Sequence, residues 1–205
     1  FIFSDNVSLE EEADLKKYGQ EKGRLVMGPD CGVGLIKGVA LGAGSIVRPG
    51  PVGIVGASGS GCQEVSCIVE RLGLGVSSII GTGGHDLLPE IGGITMLAGM
   101  RKLDDDPDTK VIVLVSKLAN LDVMAKVLGA ADRLSKPVVA IFLGADEKLY
   151  EGHNVHGTFS LEAILAAPPT GAVAGVAALL MLAGALSKSA LAPFHFWLPG
   201  AMAAP

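Results

Sequence analysis

A segment rich in glycine and serine, Gly56-Ala-Ser-Gly-Ser-Gly61, has the residue types of an anion-binding turn. It follows the apolar run 52–55 and precedes an amphipathic run that begins at Gln63. Glycines let the backbone approach a ligand closely, amides at a helix start point outward, and Ser58 and Ser60 add hydroxyl donors. This glycine turn therefore predicts a site for phosphate, phosphoryl or carboxylate groups. The alternative is an ordinary strand-to-helix turn that Ser58 caps.

The glycine turn departs from two nucleotide-binding fingerprints. Gly56 and Gly61 have the spacing of a Walker loop, but Cys62 stands where that loop requires lysine. The turn does not contain the pattern GxGxxG either. Its chemistry is therefore predicted to rest on backbone amides and hydroxyl groups.

A second glycine loop, Gly81-Thr-Gly-Gly-His-Asp86, follows the next apolar run. His85 is a candidate proton donor or anion ligand because histidine titrates near neutral pH. The alternative is an exposed loop histidine that caps the following helix together with Asp86. The sequence leaves both interpretations of His85 open.

The remaining histidines and cysteines give weaker signals. His153 and His156 are three residues apart, and two histidines without a third ligand indicate a polar loop rather than a metal site. Cys31, Cys62 and Cys67 form neither a CxxC pair nor a disulfide framework, which favours reduced thiols in a cytoplasmic protein. We expect Cys31 to be a small buried residue.

Apolar runs alternate with amphipathic ones across the middle of the chain. This pattern predicts an α/β fold with a parallel sheet and helices on both faces. Ligands of such sheets lie beyond the carboxyl ends of the strands, where the loops 56–61, 81–86 and 116–120 are expected to meet. The strands are predicted over residues 52–55, 76–80, 110–116 and 137–143, and the helices over 63–72, 91–103 and 121–134.

The first 50 residues carry one strong local signal. Ser8 and Glu11 form a capping-box pattern that opens a polar helix to about Lys22, and a short strand is predicted over 24–27. Residues 33–50 are glycine-rich and weakly patterned, and they predict a crossing segment with short strands. The chain starts with Phe1 and lacks both an initiator Met and the basic region of a signal peptide. We therefore expect a fragment whose natural start lies upstream.

Composition separates the chain into two parts. The formal net charge is −5 and 18% of the 205 residues are charged, so the sequence lacks the basic surface of a nucleic-acid-binding protein. No charged residue occurs over 163–187. The apolar stretch 170–187, with its flanks, is long enough to span a bilayer and predicts a C-terminal transmembrane-like helix.

Four motifs occur in order along residues 1–166: Met27-Gly-Pro-Asp-Cys31, Pro51-Val-Gly-Ile-Val-Gly-Ala-Ser-Gly59, Ile80-Gly-Thr-Gly-Gly84 and Asp106-Pro-Asp-Thr-Lys-Val-Ile-Val-Leu114. With these motifs, residues 1–166 resemble the α-subunit side of the succinyl-CoA synthetase superfamily. The sequence at residues 53–66, 81–84 and 91–96 is closer still to FdrA-type acyl-CoA synthetase-like proteins.

The resemblance implies a domain organisation and a reaction. Residues 1–50 would be the remnant of a CoA-binding Rossmann domain, and residues 51–166 a flavodoxin-like ligase domain. Relatives form or cleave an acyl phosphate and a CoA thioester from a small carboxylate, with a β-type ligase subunit that holds nucleotide and Mg. A homo-oligomer is the alternative assembly, and carbamoyl transfer in ureide breakdown is the alternative reaction. We expect this chain alone to be inactive.

The resemblance also implies site residues. Gly56, Ser58, Gly59, Ser60 and Gly61 match the loop that faces a phosphohistidine. The candidate catalytic residues are His153, in a Gly-His pair at the expected offset, and His85. Two departures are the absence of the Gly-Glu-Ile-Gly-Gly stretch, replaced by residues 116–120, and of Gly-His-Ala-Gly, replaced by Gly152-His-Asn-Val. The second glycine loop contributes Gly81, Thr82, Gly83 and Gly84, which with the first loop would hold CoA, phosphate or acyl phosphate.

The tail, residues 167–205, resembles a transmembrane segment of the antiporter-like subunits of respiratory complex I and the Mrp antiporters. The motifs are Ser187-Lys-Ser-Ala190 and Pro193-Phe-His-Phe-Trp-Leu-Pro199. The resemblance places Lys188 on a proton path, and a lysine that reaches the membrane interface is the alternative. We expect a chimeric chain joined near Pro168, cytoplasmic unless residues 170–205 tether it to a membrane.

Overall fold

The computed structural model describes residues 1–117, 120–143, 145 and 147–157. These residues form an α/β fold around a single seven-stranded sheet. The helices are α1 (Leu9–Glu21), α2 (Gly59–Arg71), α3 (Ile94–Asp105) and α4 (Leu121–Ala131), with a 3-10 helix at Glu147–Tyr150. The strands are β1 (Val33–Ile36), β2 (Val39–Gly42), β3 (Val52–Gly56), β4 (Val76–Gly81), β5 (Val111–Lys117), β6 (Val138–Leu143) and β7 (Val155–Gly157).

The sheet has a parallel centre and an antiparallel edge. The strand order is β2-β1-β4-β3-β5-β6-β7, and the five strands from β4 to β7 run parallel. Strand β1 pairs antiparallel with both β4 and β2. The predicted parallel sheet is therefore confirmed at the centre. The short strands predicted within residues 33–50 are β1 and β2, and their antiparallel pairing was not predicted.

Helices cover both faces of the central strands. Helix α2 lies on one face, where the side chain of Cys62 lies over Gly56. Helix α3 lies on the other face, since Gly99 lies directly against Val55 and Ile80. The core on that face also holds Met96, Met100, Leu114, Met124 and Val127, each at most 1% exposed. This burial fixes the strands in one register, because a slip by one residue would turn every core side chain outward.

The first 50 residues belong to the same sheet as the rest of the described chain. Leu35 and Ile36 pair with Ile79 and Ser78 of β4. Helix α1 begins with the predicted capping box, in which the Ser8 side chain and the Glu11 carboxylate each accept a backbone amide. It packs on the α3 side of the sheet. The assignment of residues 1–50 to a CoA-binding remnant stays a prediction.

Several predicted boundaries are corrected by the structure. The strand predicted over 24–27 does not form, and Met27 instead accepts a backbone hydrogen bond from Ile2 at 2.9 Å. Helix α2 starts at Gly59 rather than Gln63, because the Ser58 cap admits glycines into the first turn. Helix α3 starts at Ile94 rather than residue 91, because Gly92 and Gly93 both have positive φ.

The predictions for the tail concern residues outside the part of the chain that the structure describes. These are the transmembrane-like helix over 170–187, the domain boundary near 167 and the role of Lys188. Among the residues that the structure describes, no helix is both long and apolar enough to cross a bilayer.

Candidate functional site

The two glycine loops lie side by side at the carboxyl edge of the sheet. Strands β3 and β4 are parallel neighbours, and Gly56 pairs with Gly81 where both strands end. The Thr82 amide donates to the Gly56 carbonyl oxygen at 2.9 Å, which fixes one loop against the other. The structure thus brings together the two segments that the sequence selected.

The glycine turn ends in a helix whose first amides point into solvent. Ser58 is extended and its Oγ accepts from the Gly61 amide at 3.3 Å, as the capping alternative predicted. Gly59 and Ser60 are exposed, and their amides make no hydrogen bond to another residue that the structure describes. The Ser58 cap and an anion at Gly59 and Ser60 are compatible, because they use different amides of the four that a helix start leaves unpaired.

Two glycines of the turn are required by close packing. A Cβ at Gly56 would overlap Cys62 Sγ, and a Cβ at Gly61 would lie 2.8 Å from Val115 Cγ1. Gly59 differs, because its Cβ would meet only Val33 Cγ2 at an ordinary 3.5 Å. Gly56 and Gly61 therefore let α2 start directly above the strand ends.

The second glycine loop requires glycine more strictly than the first, because of its backbone conformation. Gly83 has φ +86°, and a Cβ there would overlap the Pro29 carbonyl oxygen. A Cβ at Gly84 would lie 2.7 Å from Asp30 Oδ2. The Met27–Cys31 motif of the sequence analysis thus packs directly against this loop. Gly83 is buried and Gly84 exposed, and neither amide donates to another described residue.

A buried charge cluster lies behind the second glycine loop. Glu12, Lys16 and Asp86 are each at most 1% exposed. The Lys16 ammonium donates to Glu12 Oε1 at 2.7 Å, to Asp86 Oδ1 at 2.8 Å and to the Thr82 carbonyl oxygen at 2.9 Å. All three ammonium protons therefore have an acceptor.

His85 lies at the rim of this cluster. Its side chain is 42% exposed, and Nδ1 lies 3.2 Å from Glu12 Oε2. It stands on the ligand edge, as predicted. Its partner is a carboxylate of α1 rather than an amide of α3, so it does not cap the following helix.

Asp86 supplies the cap that the start of α3 lacks. Gly93, at the cap position, has no side chain to accept a hydrogen bond. Asp86 Oδ1 accepts from the Thr95 amide at 3.0 Å, and Oδ2 accepts from the Met96 amide at 2.8 Å. A carboxylate is favourable there because the helix dipole places partial positive charge at the N-terminus. The capping role predicted for Asp86 is confirmed.

Helix α4 also starts at this edge, and its first amides are occupied. Asn120 Oδ1 accepts from the amides of Asp122 and Val123 at 3.0 and 3.1 Å. Ser116, which stands in the altered stretch 116–120, is buried and donates to the Lys117 carbonyl oxygen. Three helices start at this edge within the described residues. The side chains of Asp86 and Asn120 accept first-turn amides of α3 and α4, whereas no carboxylate or amide side chain accepts those of α2.

His153 lies at the opposite edge of the sheet. It precedes β7, whose Val155 pairs with Val138 at the start of β6, and a six-residue strand spans roughly 20 Å. Its Nδ1 lies 2.7 Å from Asp132 Oδ2, and this hydrogen bond lowers the pKa of the Asp132 carboxyl. The structure does not bring His153 and the glycine turn together. The residue offset in the sequence could not show this, because the chain crosses back over the sheet after β6.

Two buried thiols lie beneath the glycine loops. Cys31 is 2% exposed, as predicted, and Cys62 is fully buried. Burial raises the pKa of the Cys31 thiol, and it raises the pKa of Cys62 to about 12. Both are therefore protonated packing residues at neutral pH rather than nucleophiles.

Lys16 and Glu12 were not predicted from the sequence as site residues. Glu12 and Lys16 are four residues apart on a helix, a spacing that also occurs in ordinary exposed ion pairs. The polar composition of α1 indicated a solvated helix and gave no sign that this pair is buried.

Family models match two segments of the chain. Residues 47–144 match the CoA binding domain family. This match covers β3 to β6 and both glycine loops, the segment that the resemblance assigned to the ligase-like domain. Residues 149–205 match the transmembrane family of NADH:quinone oxidoreductase and Mrp antiporters.

Curated relatives include CoA ligase subunits. The chain is 51% identical to the uncharacterised protein YahF of Escherichia coli, over 71% of this chain and 28% of that protein. It is 33% identical to the ADP-forming succinate–CoA ligase subunit alpha 2 of Archaeoglobus fulgidus, over 64% of this chain and 46% of the relative. It is 27% identical to the malate–CoA ligase subunit alpha of Methylorubrum extorquens, over 63% of this chain and 44% of that subunit. The chain thus spans less than half the length of these relatives.

A solved structure shows the same fold. ATP citrate lyase from Methanothrix soehngenii, in complex with citrate and coenzyme A, matches 92% of this chain and 34% of its own with a TM-score of 0.66 at 16% identity. At that identity the likeness concerns the fold alone. Residues 47–144 thus carry a domain of the CoA binding type, similar in sequence to the alpha subunits of succinate–CoA ligases.

Proposed function

We propose that the chain binds a phosphate-bearing ligand at its two glycine loops. The single observation that carries the proposal is a set of four backbone amides, those of Gly59, Ser60, Gly83 and Gly84, which lie at one sheet edge without a partner among the described residues. We call these four residues the anion cradle. Backbone amides at a helix N-terminus favour anions through both hydrogen bonding and the helix dipole.

Phosphate is the ligand chemistry that fits the cradle best. A phosphate group presents three or more acceptor oxygens in a tetrahedral arrangement, whereas the two oxygens of a carboxylate lie in one plane and receive donors from fewer directions. The Ser60 side chain is exposed beside the four amides and adds a donor. Coenzyme A, inorganic phosphate and acyl phosphates all present such a group, and the names of the relatives favour coenzyme A.

The relatives support a proposal for the enzymatic class. We infer a subunit of an ADP-forming acyl-CoA ligase, of the FdrA-type branch, that works with a β-type ligase subunit on a small carboxylate. The nucleotide and Mg would lie on that partner, and the assembly would be cytoplasmic. This chain's contribution is to hold and orient the phosphoryl group. His85 is the candidate proton-transfer residue at this edge, whereas His153 is too distant from the cradle for that role.

Two matched variants test the proposal. Ser60→Asp places a carboxylate in the cradle, where it repels a bound anion while favouring the helix N-terminus. Leu121→Asp places the same charge on the exposed first residue of α4. We expect Ser60→Asp to weaken the binding of inorganic phosphate and CoA at least tenfold, which is roughly the effect of one lost charge-assisted hydrogen bond. We expect Leu121→Asp to change this affinity less than twofold.

Calorimetric titration of the full chain measures both affinities. Urea unfolding of each variant checks that Ser60→Asp keeps the stability of the wild type. Equal phosphate affinity in the wild type and in Ser60→Asp would overturn the proposal.

A second candidate function concerns the tail. The antiporter family match over 149–205 favours membrane association through residues 170–205, with Lys188 on a proton path. Expression with and without these residues tests it. Membrane fractionation that depends on the tail supports the assignment, and recovery of the full chain in the supernatant without detergent contradicts it.

A further inference from the structure

The Lys16 ammonium is linked to the anion cradle through one peptide group. It donates to the Thr82 carbonyl oxygen at 2.9 Å, and the peptide between Thr82 and Gly83 is trans. In a trans peptide the C=O and N–H bonds point in opposite directions. A carbonyl that faces Lys16 therefore turns the Gly83 amide away from the charge cluster.

The Gly83 amide lacks a hydrogen-bond acceptor within the described chain. Gly83 is buried, and buried backbone amides in folded proteins are almost always paired. Its positive φ and the contact with Pro29 show that packing holds the loop in this shape. An external acceptor, such as a phosphate oxygen, satisfies this amide without a change in the loop.

Stability alone does not explain a buried lysine with two buried carboxylates. Removing three charges from water is costly, and an apolar cluster of similar volume usually gives equal or greater stability. What the cluster supplies instead is direction, because a point-like ammonium with three protons fixes three acceptors at set angles. Two of these acceptors are carboxylates from α1 and the second glycine loop, and the third is the Thr82 carbonyl.

We propose that Lys16 is a positioning residue of the anion cradle: it orients the Thr82–Gly83 peptide so that the Gly83 amide faces the bound phosphate. The inference rests on the proposed function. It places a residue of α1, outside the matched segment 47–144, in the machinery of the site.

The test uses a variant that keeps the charge balance. Glu12→Gln with Lys16→Met removes one negative and one positive charge, leaves Asp86 bound to the α3 amides and keeps most of the buried volume. The matched control is Glu10→Gln with Lys17→Met, the same two substitutions at exposed positions of α1. Both are made in the isotope-labelled full chain.

Two NMR readouts separate this inference from the proposed function. The residual dipolar coupling of the Gly83 N–H reports the orientation of the peptide without any ligand. A titration with inorganic phosphate then reports which amides bind. We expect the double variant to change the Gly83 coupling, to lose the phosphate response of Gly83, and to bind about tenfold more weakly while Gly59 and Ser60 still respond. The control keeps the wild-type values.

The outcomes are distinguishable. An unchanged Gly83 coupling in the double variant overturns the positioning role, even if phosphate binds. Absence of a phosphate response at all four amides in the wild type overturns the proposed function. A scalar coupling across the hydrogen bond from Lys16 Nζ to the Thr82 carbonyl carbon, measured in the wild type, does not depend on the folding of any variant, and its absence also overturns the inference.

Discussion

Gly83 combines a constrained backbone with an amide that we propose binds the ligand. Its φ of +86° and its contact with the Pro29 carbonyl oxygen leave no room for a side chain. We expect Gly83→Ala to lower the free energy of unfolding by about 1–3 kcal/mol. The control is Gly129→Ala in α4, where a Cβ meets nothing within 4 Å and should add about 0.5–1 kcal/mol. Urea unfolding measures both, and equal effects would contradict the assignment of strain to Gly83.

Cys62 makes the stability of the folded chain depend on pH in the alkaline range. Burial raises its pKa from the ordinary value of 9.0 to about 12. Between these values the unfolded chain has lost the proton and the folded chain retains it, so stability falls as pH rises above 9, by about 1.4 kcal/mol per pH unit. Cys62→Ala should remove this part of the slope. Urea unfolding between pH 8.5 and 10.5 measures both proteins, and parallel slopes would contradict the prediction.

Residue types predicted some of the site and missed the rest. Ser58, Gly56 and Gly61 carry a local signal, because a cap and a close approach depend on neighbours in sequence. The role of Lys16 is not local: its acceptors in the second glycine loop lie 66 and 70 residues away. A single sequence gives no indication that such a lysine is buried.

The start of α3 shows how an element depends on a distant side chain. Asp86 accepts the amides of Thr95 and Met96 and also pairs with Lys16. We expect Asp86→Asn to destabilise the protein by about 3 kcal/mol, because an NH2 group replaces one of the two acceptor oxygens and leaves a buried donor unsatisfied. The same substitution at Asp105, the exposed last residue of α3, should stabilise it by about 0.3–1 kcal/mol by removing a charge that the dipole disfavours. Thermal unfolding measures the stability of both variants, and a change of the same sign in the two would contradict this prediction.

Elements with a strong periodic pattern were predicted well, and irregular ones were not. The four central strands lie within one or two residues of their predicted positions, because continuous apolar runs must be buried on both faces. For β1 and β2 the sequence predicted only short strands within residues 33–50, without bounds or pairing, since this glycine-rich segment has no clear period. The hairpin forms because Leu35 and Ile36 complete the edge of β4, a condition that only the folded sheet supplies.

At the scale of the whole molecule, the first 46 residues are integral to the fold. They supply α1, the hairpin beside β4, and two members of the buried charge cluster. A chain shortened to residues 47–205, which begins where the CoA binding family match begins, should lose cooperative unfolding because Asp86 would be buried without its ammonium partner. Urea unfolding followed by far-ultraviolet circular dichroism measures this. A cooperative transition with the midpoint of the full chain would contradict it.

The central claim is that both glycine loops form one phosphate-binding cradle. Its most direct test is a titration of the isotope-labelled full chain with inorganic phosphate, followed residue by residue through the amide signals. The account predicts that the largest changes occur at Gly59, Ser60, Gly83 and Gly84. Changes centred instead on the lysines of the opposite edge, Lys37 and Lys110, or no saturable change at the four cradle amides, would contradict it.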